Sequence, residues 1–103
     1  MAIDHSLLLK IKKSLRISHS ALDDDLSDTI TACLADLKVC GVKVPEKDNT
    51  QEMDSLVLNA IKLYCRQAYT DDTAKAAEYG RRYDALKSCL MMAEGYREDN
   101  GNE

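Results

Sequence analysis

The sequence contains no tryptophan and no phenylalanine, and only one proline and four glycines among its 103 residues. So few proline and glycine residues exclude an all-β fold, which needs a turn signal about every 8–12 residues. Without tryptophan and phenylalanine, the core must consist mostly of Leu, Ile, Val, Ala, Met and Tyr side chains. A chain of this length forms one domain that buries a modest share of its surface.

The sequence also lacks an excess of basic residues and any long apolar run. Its 18 acidic and 14 basic residues give a formal net charge of −4, which argues against a protein that binds DNA by itself. No apolar stretch reaches the roughly 18 residues that a membrane-spanning helix needs. The N-terminal sequence MAIDHSLLLKIKK contains no signal-peptide apolar stretch and no cleavage site. We therefore expect a cytosolic protein without a membrane partner.

No pattern typical of a metal site or of disulfides is present. The four cysteines (Cys33, Cys40, Cys65 and Cys89) include no C-x-x-C pair, and the two histidines are not at helical ligand spacing. Disulfides are not expected in a chain without a secretion signal. Cys33 and Cys40 lie seven residues apart on one face of a predicted helix. We therefore interpret the thiols as small buried core residues.

Apolar periodicity and capping residues predict an all-α fold, a small bundle of one short and three longer helices. The first helix begins at Asp4 and ends near Arg16, and the second runs from about residue 21 to 39. The third begins at Asp54 or Ser55 and ends near Tyr69, and the fourth runs from about residue 74 to 94. Residues 1–96 thus form a single helical domain, and 97–103 are predicted to be a disordered acidic tail.

The residues at the predicted helix ends agree with these bounds. Asp23–Asp25 fall in the first turn of the second helix, where the helix dipole favours negative charge. Gly41 follows that helix as a C-cap glycine, and Gly95 ends the fourth helix. The segment 41–53 holds the only proline and loses helical periodicity, so it is predicted to be an exposed loop of functional or mobile character.

No set of catalytic or cofactor-binding residues can be recognised. The sequence has no phosphate-binding glycine loop and no glycine-flanked nucleophile turn, so we predict no enzyme, no cofactor and no metal. The link between the first two helices resembles a helix-turn-helix in length, but three aspartates begin the helix that would enter the groove. Phosphates would repel that end, which excludes this mode of DNA binding.

Surplus apolar surface and uneven charge indicate a partner. Apolar residues cover nearly the whole circumference of the third helix, which is typical of a central helix or of one that also meets a second subunit. Met91 and Met92 extend the apolar surface at the end of the fourth helix. Residues 1–20 carry a charge of +3 and residues 21–37 a charge of −5, so copies of the chain are suited to head-to-tail contact.

Several segments resemble one family in their order along the chain. They are LLKIKKSLRI (8–17), Asp23–Asp25 with Leu26 and Ile30, Gly41-Val42, AIKLYCR (60–66), TDD (70–72), YDALK (83–87) and LMMAEGY (90–96). Together they resemble the head–tail connector proteins of tailed bacteriophages and prophages, also called DNA-packaging or head-completion adaptors. The resemblance spans about residues 3 to 96. Each segment is an amphipathic pattern, so only their ordered combination is specific.

The resemblance implies a small all-α structural subunit without catalytic residues. It implies a ring of about a dozen copies under cyclic symmetry. Such a ring docks under the portal protein after DNA packaging, extends the channel towards the tail and meets a downstream tail or stopper protein. Double-stranded DNA passes through it without sequence-specific binding. The implied location is the virion head–tail junction, and the host cytoplasm during assembly.

Eight residues are the candidate contacts of this ring with itself or a partner. On or just after the fourth helix they are Tyr79, Arg82, Met91, Met92 and Tyr96, and at the end of the first helix Lys12, Lys13 and Arg16 are expected to face an acidic neighbour. The alternative is core packing for the apolar residues and solvated surface for the basic ones. An alternative function is that of a small helical regulator that binds a protein partner as a monomer or dimer.

Overall fold

The computed structural model describes residues 5–44, 54–93, 95 and 96. These residues form four helices, which are α1 (His5–Leu15), α2 (Asp23–Val39), α3 (Ser55–Tyr69) and α4 (Thr73–Met92). Within the described residues there is no β-strand. The prediction of an all-α bundle with one short and three longer helices is confirmed. The predicted Asp4 cap, residues 45–53 of the predicted loop and the 97–103 tail lie outside the described residues.

The helices begin within two residues of the predicted positions. Asp54 caps α3, since its Oδ2 accepts a hydrogen bond from the Leu56 backbone N–H at 2.8 Å. Asp72 caps α4 in the same way, through the Lys75 N–H at 3.1 Å. Helix α2 begins at Asp23 rather than at residue 21, because the Ser20 carbonyl accepts the Asp23 N–H at 3.2 Å and turns the preceding residues away from helix geometry. Helix α4 ends at Met92, two residues before the predicted end.

Helices α1 and α2 each end in a hydrogen-bonded turn of the same type. After α2, the Val42 N–H donates to Leu37 O at 2.9 Å and the Gly41 N–H to Lys38 O at 3.0 Å, which is a Schellman motif. Gly41 takes the required left-handed conformation, with φ +91°, so the predicted C-cap glycine is confirmed. After α1, Ile17 and Arg16 make the equivalent bonds to Lys12 and Lys13, and Arg16 has φ +61°. An arginine therefore occupies a position that favours glycine.

Polar contacts between helix ends establish an up-and-down arrangement. Lys12 near the end of α1 pairs with Asp23 at the start of α2, and the Tyr69 hydroxyl at the end of α3 donates to Asp25. The Tyr96 hydroxyl, after α4, donates to Asp54 before α3 at 2.9 Å. The end of α1, the start of α2, the end of α3 and the start of α4 therefore lie together, and we call this the cavity end. The end of α2, the start of α3 and the end of α4 lie at the opposite Met92 end.

Helix α3 is the central element of the bundle and packs against the other three helices. Its Val57, Ala60, Ile61, Leu63 and Cys65 are buried. The remaining core side chains from α1 and α2 and from the Val42 turn, with two from α4, surround it: Leu7, Leu8, Ile11, Leu26, Ile30, Cys33, Leu34, Leu37, Val42, Tyr83 and Leu90. Of the two interpretations of its apolar surface, the central position is the one that the structure shows.

The cysteines only partly follow the prediction. Cys33 and Cys65 are fully buried in the core, as predicted. Cys40 is half-buried at the end of α2, and Cys89 is exposed on α4, so the interpretation as core thiols is wrong for Cys89. The α4 pattern explains this difference, because Tyr83, Leu86 and Leu90 supply the face that packs on α3 and Cys89 lies outside it.

Candidate interaction surface

The eight candidate contact residues fall into two groups at opposite ends of the bundle, with one residue between them. Arg16 and Tyr79 line a cavity at the cavity end, and Lys12 and Lys13 lie in the last turn of α1 beside it. Met91 and Met92 close α4 at the other end, followed by Tyr96. Arg82 lies midway along α4. A single chain does not bring the two groups together.

Lys12 is engaged inside the chain. It is only 8% exposed, and its Nζ lies 2.8 Å from Asp23 Oδ1. An ion pair that is this well shielded holds the end of α1 against the start of α2. Lys13 and Arg16, by contrast, are exposed. Of the three basic residues expected to face an acidic neighbour, Lys13 and Arg16 therefore have side chains accessible to one.

Arg82 also has a partner within the chain, although it is exposed. Its Nε lies 2.8 Å from Glu78 Oε2, and Arg81 contacts the other carboxylate oxygen. The hydrogen bonds from Arg81 and then Arg82 lower the pKa of Glu78 below its usual value. Exposed pairs of this kind contribute little to folding because solvent screens them. Arg82 is thus free to exchange this pair for a contact with another protein.

A cavity of about 600 Å³ opens at the cavity end. Its lining comes from α1, α3 and α4 and from the two links there: Ser14, Leu15, Arg16, Ile17, Leu22, Arg66, Tyr69, Thr70, Lys75 and Tyr79. Three of these residues are cations and none is acidic, although the whole chain has a net charge of −4. A volume of this size is typical of ligand and side-chain binding sites.

Local structure places the cavity residues. The left-handed Arg16 turns the chain at the end of α1, so that Leu15 and Ile17 lie on either side of the turn and both line the cavity. Arg66 is in the last turn of α3, where a cation also complements the helix dipole. Tyr69 lines the cavity while its hydroxyl donates to Asp25, and burial, with that hydrogen bond, raises the pKa of Tyr69.

The Met92 end presents apolar side chains to solvent. Met92 is 81% and Val39 86% exposed, and Met91 and Leu56 are also exposed. All four residues are at helix ends that the up-and-down arrangement places on the same side of the bundle. Exposed apolar residues that are grouped in this way are typical of protein contact surfaces.

Tyr96 ties the Met92 end together. Its carbonyl accepts the Lys43 N–H at 2.7 Å, and its hydroxyl donates to Asp54 Oδ1 at 2.9 Å. Because Asp54 also caps α3, one tyrosine links the chain after α4 to the turn after α2 and to the start of α3. Tyr96, predicted as a contact residue, has a structural function within the chain.

A polar cluster between α2 and α4 was not predicted from the sequence. The Tyr83 hydroxyl donates to Asp36 Oδ2 at 2.6 Å, and Lys87 Nζ lies 2.9 Å from the same oxygen. The hydrogen bond from Tyr83, then that from Lys87, lowers the pKa of Asp36, although partial burial opposes the shift. Burial and the bond to Asp36 raise the pKa of Tyr83. The spacing of Tyr83 and Lys87, four residues apart on one helix face, was the available signal.

The part of the chain that the structure describes contains no cluster of His, Cys, Asp or Glu side chains suited to a metal ion. None of its helices combines the length and the apolar character needed to cross a bilayer. The basic cavity and the apolar Met92 end are the two candidate contact surfaces of the described residues.

Comparison with known protein families gives a match over almost the whole chain. A family model described as phage connector protein matches residues 7–97. This range covers all the helices except the first two residues of α1. No curated protein and no solved structure matches the chain.

Proposed function

The chain belongs to the phage connector protein family, and from this premise we propose that it is the ring-forming subunit of the junction between a phage head and its tail. In this proposal about a dozen copies assemble under cyclic symmetry. The ring docks beneath the portal protein, extends the DNA channel and meets a tail or stopper protein. The family match over residues 7–97 is the observation on which the proposal depends.

The arrangement of the described residues supports a structural rather than a catalytic function. Polar side chains that are buried or close to the core hold helices together, as Lys12 does with Asp23 and Tyr83 with Asp36. The surface carries a basic cavity and an apolar end on opposite sides of the bundle. A subunit that binds neighbours on two different sides needs two such unlike surfaces.

The partners follow from this function. The ring would contact itself, the portal protein and the downstream tail or stopper protein through the residues named from the sequence. Among these, Lys12 would act through its ion pair with Asp23 and not by direct contact. Double-stranded DNA would pass through the channel without sequence-specific contacts. An acidic chain with a net charge of −4 is suited to this, because it does not retain the phosphate backbone by charge.

The solution mass of the full chain tests this proposal. Light scattering over a wide range of concentrations should show a single species many times larger than the 11.5 kDa chain, and electron microscopy should show closed rings. A monomer or dimer at every concentration would contradict spontaneous ring formation and favour the small helical regulator.

A matched pair of variants connects the assembly to the surface. Arg82→Glu replaces an exposed cation on α4, whereas Arg81→Glu does the same one residue away, on a side chain not proposed as a contact. Both lose a contact with Glu78, so both should fold with similar stability. Only Arg82→Glu should reduce ring formation. Equal assembly of the two variants would remove Arg82 from the interface.

A further inference from the structure

We propose that the cavity receives the Met92 end of a second copy, so that each copy inserts the end of its α4 between the helix ends of its neighbour. The inference rests on the proposed function, since it identifies the contact that builds the ring. It joins two surfaces that no comparison assigns: the basic cavity and the exposed Met91–Met92 pair.

The cavity has the chemistry of a site for an acidic segment with an apolar anchor. Arg16, Arg66 and Lys75 make no ion pair within the described residues, in contrast to Lys12, Lys87, Arg81 and Arg82. Leu15, Ile17 and Tyr79 provide an apolar lining next to these cations, and Leu22 adds to it. The site thus offers both charge and apolar surface to a protein segment.

Ser14 adds a hydroxyl group to the three cations of the cavity lining. Its Oγ is buried and has no hydrogen-bond partner among the described residues. A buried hydroxyl is normally satisfied, because an unpaired polar group in the interior is costly. A carboxylate or carbonyl from an inserted segment would accept this hydrogen bond.

The Met92 end fits these requirements. Met92 is almost fully exposed at the last position of α4, with Met91 beside it. Methionine is flexible and adapts well to irregular apolar sites. The sequence that follows contains Glu94, Glu98 and Asp99 against the single basic residue Arg97. The apolar anchor and the acidic residues are therefore contiguous in the sequence.

A chain cannot place its own Met92 in its own cavity. Lys75 and Met92 lie on the same straight element, separated by about 26 Å at the helical rise of 1.5 Å per residue. The insertion must therefore occur between copies. A contact between two different surfaces is heterologous, and it produces a closed ring when the rotation between neighbours closes.

No aspartate lines the cavity. Of those near it, Asp23 is paired with Lys12, Asp25 accepts the hydroxyl of Tyr69, and Asp72 accepts the backbone N–H of Lys75 as the cap of α4. The apolar lining also distinguishes a protein segment from a phosphate group, because a phosphodiester gains nothing from Leu15, Ile17 and Leu22.

A peptide of residues 90–103 is the direct probe. Titrated into the isotope-labelled Met92→Ser chain, whose cavity is intact and is not filled by a neighbouring copy, it should shift the amide signals of the residues around Arg16, Arg66 and Lys75. A peptide with both methionines replaced by serine should bind at least about tenfold more weakly. Inorganic phosphate and duplex DNA are titrated in parallel. Stronger binding of either at the cavity, or absence of any peptide shift there, would overturn the inference.

Variants of the full chain test the same contact in assembly. Lys75→Glu should raise the concentration needed for assembly about tenfold or more, whereas Lys10→Glu, the same charge change on an exposed α1 residue outside the cavity, should leave it unchanged. Met92→Ser should raise the concentration needed for assembly as much as Lys75→Glu does. Met92→Leu, which keeps an apolar side chain, should assemble at the same concentration as the original chain. Rings that form normally in both Lys75→Glu and Met92→Ser would overturn this contact while leaving the ring function intact. Peptide binding at the cavity in a chain that never forms rings would support the contact and contradict the ring.

Discussion

The four thiols differ in accessibility, although the sequence pattern predicts all four to be buried. Burial raises the pKa values of Cys33 and Cys65 to about 12, and the Tyr83 hydroxyl lies 3.8 Å from the Cys33 sulfur. A raised pKa leaves the thiol protonated at neutral pH, and the thiol form is a poor nucleophile. Cys89 is exposed and Cys40 half-buried.

We expect one fast-reacting thiol in the folded chain. With a disulfide reagent at pH 8, Cys89 should react first and Cys40 more slowly, while Cys33 and Cys65 react only after unfolding. Cys89→Ala should abolish the fast phase, and Cys65→Ala should leave it unchanged. Four equivalent rates in the absence of denaturant would contradict the burial of the two core thiols.

At the residue scale the sequence predicts the burial of an apolar side chain better than the partner of a polar one. The spacing of Cys33 on the inner face of α2 predicted its burial correctly. The burial of Lys12 was not predictable, because its partner Asp23 is on another helix and lysine is rarely so enclosed. Arg16 was predicted as a basic contact residue, but its left-handed backbone conformation was not predicted, because it depends on the turn between α1 and α2. Such features arise only when two elements meet.

At the scale of elements, the contact of α4 with α2 depends on a titratable cluster. Tyr83 and Lys87 both bond to Asp36, and Lys87 Nζ also lies 5.2 Å from the centre of the Tyr83 ring. Because these contacts lower the pKa of Asp36 in the folded state, they stabilise the fold above the usual value of 3.8. That contribution is lost as the pH falls through the lowered pKa of the folded state.

The variant Tyr83→Phe isolates this contribution. At pH 7 it should lower the free energy of unfolding by about 1 kcal/mol, since one hydrogen bond to a partly exposed carboxylate is lost. In urea unfolding, the difference from the original chain should shrink as the pH falls below 3.8, where Asp36 of the unfolded chain becomes protonated, and vanish below the lowered pKa of the folded state. Tyr64→Phe is the control, because that ring packs edge-on against Tyr83 at 5.2 Å. A difference that stays constant from pH 7 to pH 3 would show that Asp36 is not involved.

Replacement by alanine should have opposite effects on stability at Gly80, inside α4, and at Gly41, in the turn after α2. Gly80 lies inside α4, where alanine is favoured by up to about 1 kcal/mol. The atom that a Cβ would meet there is the amide nitrogen of Gln67, at 2.8 Å, which belongs to an exposed and movable side chain. Gly41 has open space around it, but its φ of +91° is strained for alanine.

We expect Gly80→Ala to raise, and Gly41→Ala to lower, the free energy of unfolding, each by about 0.5–1 kcal/mol. Thermal unfolding measured by circular dichroism gives both values under the same conditions. The group that faces Gly80 is the side chain of Gln67. A loss of stability in Gly80→Ala would mean that Gln67 cannot move.

At the scale of the whole molecule, the order and number of helices are predictable from the sequence and the surfaces are not. Helical periodicity, with Asp54 or Ser55 as the start of the third helix, predicted α3 and α4 to within a residue or two. The cavity consists of residues between Ser14 and Tyr79 that lie far apart in the sequence and meet only through the up-and-down packing. The predicted contact residues were therefore chosen by type, and their division between two opposite ends emerged from the fold.

Because the two halves of the proposed contact lie at opposite ends of the chain, a complementation experiment can test them. Lys75→Glu damages the cavity but keeps Met92, and Met92→Ser damages the other end but keeps the cavity. Each variant alone lacks one half of every contact, so each should remain monomeric at concentrations where the original chain assembles. Mixed in equal amounts, they should form one intact contact between an undamaged cavity and an undamaged Met92, and no further contact, because the two free ends are both damaged.

The mixture should therefore contain a dimer of twice the 11.5 kDa chain mass and nothing larger, at concentrations where the separate variants are monomers. Sedimentation velocity distinguishes these species, and a label on one variant shows that the dimer contains both. A contact made by the same surface on both copies would behave differently, because each variant would then pair equally well with itself and with the other. Dimers in either variant alone, or closed rings in the mixture, would exclude the head-to-tail arrangement.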